Sequence, residues 1–385
     1  MFSDRLPGLE PNALTRAVAR ARASGTRFYD LTETNPTAVG LTYPALSDVL
    51  SGPGVASYRP HALGHPDARA RVAATFAARG ADVPASRCVL TASTSEAYSF
   101  LFKLLCEPGD QVLVPQPSYP LFELLTRLDA VTSAPYRLDA GGAWCLDRVT
   151  LDQAATDRTR AVLIVSPNNP TGSMLRADDR EWLVGFAARR RLALIADEVF
   201  FDYQFSPPPD VVSLAGEARV LTFTLGGLSK SAGLPQMKLA WIGVSGPDAD
   251  VEEAMGRLEV IADTYLSVST AVQLNTDLLI SVGNGIRAAI ATRLERNLDA
   301  LTAWGRAHPA VGLTVPDGGW SVVVRVPAIL SEEQLVLRLL EEDEVLVHPG
   351  YFFDFDHEAY VVCSLLPSPD TFDEGLARIG RRLEC

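Results

Sequence analysis

Leu192-Ala193-Leu194-Ile195-Ala196-Asp197-Glu198 is a five-residue apolar run that ends on two carboxylates. An apolar run without polar alternation reads as a strand buried on both faces, as in a parallel sheet with helices above and below. A carboxylate at the C-terminal end of such a strand stands at the sheet edge where α/β proteins bind ligands. Taken alone, Asp197 has a solvent-facing turn acid as its lesser alternative. The same rhythm recurs at residues 88–91, 111–115, 161–165 and 220–224, with helical segments between, the first running through Cys106. Residues 45–283 therefore read as an α/β domain, a mainly parallel sheet covered by helices.

Outside that block the pattern changes. Residues 9–24, followed by Gly25, read as a helix closed by a glycine. The stretch through residue 66 is too punctuated by Gly and Pro for long elements. Asn284-Gly285 reads as a break, followed by an arginine-rich helix to about residue 307. Residues 320–326, 332–341, 360–365 and 370–382 then alternate strand, helix, strand, helix. Residues 284–385 form a smaller α+β unit on this reading, and residues 1–44 belong with it. The acidic run Glu341-Glu342-Asp343-Glu344 reads as a solvated helix end.

Composition narrows the function. The chain has 385 residues, 47% hydrophobic and 21% charged, which suits a well-cored globular protein. A net charge of −13 disfavours a nucleic-acid footprint or an anionic membrane surface as partner. No apolar run reaches the roughly 18 residues of a membrane span. The start, Met1 to Pro7, lacks the basic-then-apolar pattern of a secretory signal. Five scattered cysteines (Cys88, Cys106, Cys145, Cys363 and Cys385), with no Cys-x-x-Cys pair, suit a reduced cytoplasmic protein. Of 34 basic residues only Lys103, Lys230 and Lys238 are lysines. Arginine cannot replace lysine as a nucleophilic amine, because guanidinium stays protonated.

Three loops extend the sheet-edge reading. The run 161–165 ends in Ser166-Pro167-Asn168-Asn169-Pro170-Thr171-Gly172, whose asparagine amides can reach a ligand; as a bare turn the string is unremarkable. Thr91 to Ala97 joins a strand to a helix start, where Thr94 and Ser95 suit a phosphate, although N-capping alone explains the same residues. Leu228-Ser229-Lys230-Ser231-Ala232-Gly233-Leu234-Pro235 brings a rare lysine to the same edge, as imine chemistry needs. It is neither a P-loop nor a Gly-x-Ser-x-Gly elbow. His61 and His65 are separated by Gly64 and followed by Pro66, so no metal is expected.

In this order the pieces resemble fold-type-I pyridoxal-phosphate enzymes of the class I/II aminotransferase family, from Asn35-Pro36-Thr37 through Pro349-Gly350. The resemblance implies an aminotransferase-like large domain, a smaller α+β domain and pyridoxal 5′-phosphate as cofactor. By that resemblance Lys230 is the aldimine-forming lysine and Asp197 the carboxylate partner of the pyridinium nitrogen. Asn169 would bond the ring 3-oxygen, with Tyr119 and Val199 on the two ring faces. Thr94, Ser95, Ser229 and Lys238 would surround the phosphate. Tyr58 would reach the phosphate of a neighbouring subunit, which makes the expected unit a homodimer.

The departures are as informative. Phe200 stands where the family has a tyrosine bonded to the 3-oxygen, with Tyr203 a candidate substitute. Gly227 replaces a serine, and Lys238 an arginine. Val362, in Tyr360-Val361-Val362-Cys363-Ser364-Leu365, falls where the family carries the arginine that clamps the substrate α-carboxylate. No Arg or Lys lies between Arg257 and Arg287, the region supplying a second clamp to dicarboxylate-specific members. Arg325 or Arg59 could instead meet a carboxylate. The expected activity is amino transfer between a small-molecule amino donor and a keto or oxo acceptor, with atypical carboxylate recognition. A C–S β-lyase and a non-catalytic ligand sensor on the same scaffold are the alternatives.

Overall fold

The computed structural model describes residues 3–8, 10–47, 51–52, 54–139, 144–206, 208–357 and 359–384; Cys385, counted above, lies outside them. An eight-stranded sheet has the order Cys88–Thr91, Ala240–Ser245, Thr222–Gly227, Ala193–Asp197, Thr159–Val165, Gln111–Gln116, Thr132–Asp139 and Cys145–Leu146. The five strands from Thr222–Gly227 to Thr132–Asp139 are mutually parallel, while Ala240–Ser245 runs against both neighbours and Cys145–Leu146 against its one. The sheet is therefore mixed and mostly parallel, as the apolar runs predict. Every residue of Ala193–Asp197 is buried. Ala193 and Ile195 join the core under helices Thr94–Leu105 and Asp248–Tyr265. Leu194 and Ala196 join the core under Ala177–Arg190 on the other face.

A second, antiparallel sheet has the order Gly312–Leu313, Ser321–Arg325, Tyr360–Ser364 and His348–Pro349. Its core takes in Leu14 and Ala17 of the N-terminal helix Ala13–Ala23 together with Leu335, Val336 and Leu339 of Glu332–Glu341. Asn12 starts the N-terminal helix by accepting from the Thr15 N–H at 2.8 Å. Ser331 and Gln334 close a capping box on Glu332–Glu341.

One expectation fails here. Asn284-Gly285 is not a break, because Thr276–Ala307 is one helix of 32 residues. An interior glycine weakens a helix by only about 1 kcal/mol, and the neighbouring Gly283 supplies a reason for small residues on this face. A Cβ at Gly283 would stand 2.3 Å from the Ala232 Cβ, so the helix lies directly on the turn that follows Lys230. The acidic run is a largely exposed helix end, as expected, and its carboxylates also hold ion pairs. Glu342 and Asp343 bind Arg382, Glu344 binds Arg378, and Glu341 binds Arg20, fastening the helix end to Pro369–Glu384 and Ala13–Ala23. Among the described residues no helix is long and apolar enough to cross a membrane.

The contrast between Gly283 and Gly285 is testable by urea denaturation. Gly283→Ala should lower stability by about 1–3 kcal/mol through overpacking. Gly285→Ala meets open space and should raise it by roughly 0.5–1 kcal/mol.

Candidate active site

Parallel pairing places the ends of three strands on one edge of the large sheet. Asp197 ends the strand Ala193–Asp197 and is registered against Val165 on one side and Leu225 on the other. The strand Thr222–Gly227 turns directly into the short helix Leu228–Ser231, which carries Lys230. Asp197 is only 6% exposed. Burial pushes its carboxyl up from the ordinary value, against two donors and the nearby Lys230 charge. The donors are the Tyr98 hydroxyl, 2.6 Å from Oδ2, and the Val199 N–H, 3.1 Å from Oδ1. Lys230 Nζ lies 4.8 Å from the centroid of the Trp320 ring and 5.5 Å from that of Phe200. Burial among these rings lowers its pKa to about 8, and Asp197 opposes the shift. A fraction of this amine is therefore neutral and nucleophilic near neutral pH.

Both groups line one cavity of about 300 Å³. Thr94, Ser95, Tyr119, Asn169, Val199 and Ser229 line it as well. Ser93 caps the helix Thr94–Leu105 by accepting from the Glu96 N–H at 3.1 Å. N-capping therefore explains Ser93, while Thr94 and Ser95 face the cavity at the helix's positive end. In the loop after Thr159–Val165 the two asparagines divide the work. Asn168 holds the turn, accepting from the Thr171 hydroxyl at 2.9 Å. Asn169 Oδ1 is buried without a hydrogen-bond partner. Gly172, at φ +70°, is required where a Cβ would meet the Gly318 carbonyl at 2.5 Å.

Two of the expected residues lie apart. Lys238 is exposed at the end of the turn Pro235–Met237 and is not among the lining residues. Tyr58 is 75% exposed and lines a separate groove with Arg59. Tyr203 does not substitute for the tyrosine missing at Phe200, because its hydroxyl donates to the Lys230 carbonyl at 2.7 Å. Phe200 itself lines the cavity. Gly227 has little room for the family's serine, since a Cβ would meet that of Ala240 at 3.0 Å. Val362 is buried against Val323, Phe353 and Trp144. Neither Arg325 nor Arg59 lines the cavity, and among the described residues Lys230 is the only Lys or Arg that does.

Sequence reasoning missed Tyr98 and Trp320. Tyr98 follows Thr94 by one helical turn and so shares its face, a spacing that could have flagged it. Trp320, 1% exposed, precedes an ordinary apolar strand, and nothing in its neighbourhood signals a role beside Lys230.

Residues 30–379 match the family described as aminotransferase class I and II. The alanine aminotransferase of Mycobacterium tuberculosis strain H37Rv is 27% identical, the match covering 95% of this chain and 87% of that protein. The glutamate-pyruvate aminotransferase AlaA of Escherichia coli K12 is 25% identical, covering 94% of this chain and 92% of that protein. Among solved structures, an alanine aminotransferase from Pyrococcus furiosus superposes with a TM-score of 0.89 at 21% identity, over 100% of both chains. An aminotransferase from Escherichia coli superposes with a TM-score of 0.87 at 24% identity, over 100% of this chain and 98% of that one. With the family spanning nearly the whole sequence and the fold matched end to end, the chain belongs to the class I and II aminotransferases, enzymes that use pyridoxal 5′-phosphate.

Proposed function

We propose that this aminotransferase holds pyridoxal 5′-phosphate on Lys230 and moves an amino group between an amino donor and a keto or oxo acceptor without a guanidinium clamp from its own chain on the donor's carboxylate. The observation that carries the reading is the desolvated Lys230 amine sharing a cavity with the buried Asp197 carboxylate. The unpartnered Asn169 Oδ1 and the helix start at Thr94 and Ser95 support the fit of the cofactor. When bound, that group supplies the electron sink for bonds to the donor's amine-bearing carbon.

Each residue then has a task set by its surroundings. Asp197, fixed by Tyr98 and the Val199 N–H, would keep a proton on the ring nitrogen. Asn169 would bond the ring oxygen, and Tyr119 and Val199 would flank the ring. Thr94, Ser95 and Ser229 would hold the phosphate, with Lys238 adding charge from farther out. Lys230 Nζ would carry the proton to and from the reacting carbon. Tyr58, exposed and outside its own chain's cavity, would complete the site of a second subunit in a homodimer.

Alanine and glutamate, the substrates named by the relatives, are the first donors to test. A hydrogen-bonded charge pair is worth about 1.5–3 kcal/mol, so an arginine clamp would favour them over carboxylate-free amines by roughly tenfold to a hundredfold. With Val362 in its apolar cluster, amines lacking the carboxylate should exhaust the cofactor absorbance within about tenfold of the rate with alanine. A preference above about a hundredfold would overturn this reading of carboxylate recognition. Loss of the absorbance in Lys230→Ala, and its restoration by a keto acid after exhaustion, test the transfer itself. Pyruvate and ammonia formed without an acceptor would identify a lyase.

The Lys230 amine also sets a pH dependence. Only its neutral form attacks an aldehyde, so the rate at which apoprotein captures the cofactor should rise with pH and level off above about 8. A rise that continues beyond pH 10 would contradict the buried setting.

Phe200 and Tyr203 can be separated by substitution. Phe200→Tyr adds a donor near the ring and should lower the titration midpoint of the cofactor absorbance by roughly one unit. Tyr203→Phe should leave that midpoint in place while costing about 1 kcal/mol of stability through the lost bond to Lys230.

A further inference from the structure

A second cavity, of about 390 Å³, lies between the helices Pro66–Ala78 and Thr276–Ala307. Its wall carries three guanidinium groups, Arg71, Arg79 and Arg287, and a single carboxylate, Asp202. Arg79 Nη2 stands 2.8 Å from Asp202 Oδ2, and Arg287 Nη1 stands 3.4 Å from the same oxygen. One carboxylate oxygen thus serves two arginines, and the second is held loosely. Arg287 also donates to Asn284 Oδ1 at 2.9 Å. Arg71 pairs at 2.9 Å with Asp277, whose side chain is 82% exposed and lies outside the wall. The wall residues themselves carry two more positive than negative charges, one of which Asp277 offsets from outside the wall. Guanidinium forks match oxyanions in geometry as well as in charge. Pockets for small ligands start at about 300 Å³, so there is room for a compact molecule.

We infer that this cavity binds a small dianionic oxyanion, a phosphate group or a dicarboxylate, clamped by Arg71, Arg79 and Arg287. Such a ligand neutralises the excess charge and competes with Asp202 for Arg79 and Arg287. Asp202 lies in the turn between Asp197 and Tyr203, and the Tyr203 hydroxyl holds the Lys230 carbonyl. Ser231, next to Lys230, is also part of the wall. An anion in this cavity consequently bears on the backbone that positions both charged groups of the catalytic cavity.

The test is calorimetric titration of the protein, saturated with pyridoxal phosphate and freed of excess, with inorganic phosphate and separately with malonate at low salt. Saturable binding of either probe is expected, weakened at least tenfold by Arg71→Ala and by Arg287→Ala, with the Lys230-dependent absorbance retained in both variants. Arg71→Lys and Arg287→Lys, which keep charge but lose the fork, should bind with intermediate strength and serve if an alanine variant does not fold. Arg325→Ala, an exposed arginine elsewhere, should bind as the parent does. Binding of both probes supports a general dianion site, and binding of phosphate alone supports a phosphate site. Absence of saturable binding, or binding unchanged by the Arg71 and Arg287 substitutions, overturns the inference. Binding lost instead in Ser95→Ala would place the anion in the catalytic cavity and overturn it equally.

Discussion

A carboxylate taken out of water at the end of a central strand is the constraint around which the catalytic edge is built. Burying such a charge costs several kcal/mol unless partners compensate it. Asp197 recruits them from three parts of the chain: Tyr98 from the first helix after the sheet begins, the Val199 N–H from the turn it opens, and the Lys230 charge from the short helix that follows the next strand over. Each partner fixes an element. Tyr98 orients the helix whose first turn presents Thr94 and Ser95, so the same contact that satisfies the carboxylate also aims the helix's positive end into the cavity.

The lysine side is fixed by close packing rather than by charge. Gly283 lets the long helix rest on Ala232. Gly233 sits at φ +62° where a Cβ would press on Ile286 and Ile290, and the Tyr43 hydroxyl donates to its carbonyl at 2.7 Å. Tyr203 adds its bond to the Lys230 carbonyl. Contacts between backbones and small residues leave little slack, so the lysine's main chain is held while its side chain stays free to act. Pre-positioning of this kind is how a site keeps reacting atoms in register without paying for order at each turnover.

The large sheet was legible because strands buried on both faces must be written in apolar residues, and Ala193–Asp197 is buried throughout. Asp197, Asn169 and Lys230 were legible because strand ends converge on one edge in any parallel sheet. Asn284-Gly285 was misread because glycine carries the same local signal whether it ends a helix or lets another backbone approach; only the position of Ala232 distinguishes them. The ion pairs of the acidic run were not legible, since its arginine partners lie 34 to 40 residues further along the chain or more than 320 residues before it. Trp320 contributes through side-chain direction, which its position before an apolar strand does not supply, whereas Tyr98 shares a helix face with Thr94. Val362 was visible as an uncharged residue where the resemblance puts an arginine, but the apolar cluster of Trp144, Val323 and Phe353 that receives it was not.

The scarcity of lysine has a chemical consequence of its own. Pyridoxal phosphate is an aldehyde, and aldehydes condense with any accessible primary amine. Of the three lysine side chains, Lys103 is engaged by Asp129 and by the Ser99 hydroxyl, the latter at 2.6 Å, and Lys238 is exposed. The 31 arginines carry the remaining positive charge without offering a competing nucleophile. Solubility and ion pairing are thereby carried mostly by groups that do not condense with carbonyls, and the surface offers the reagent few side-chain amines.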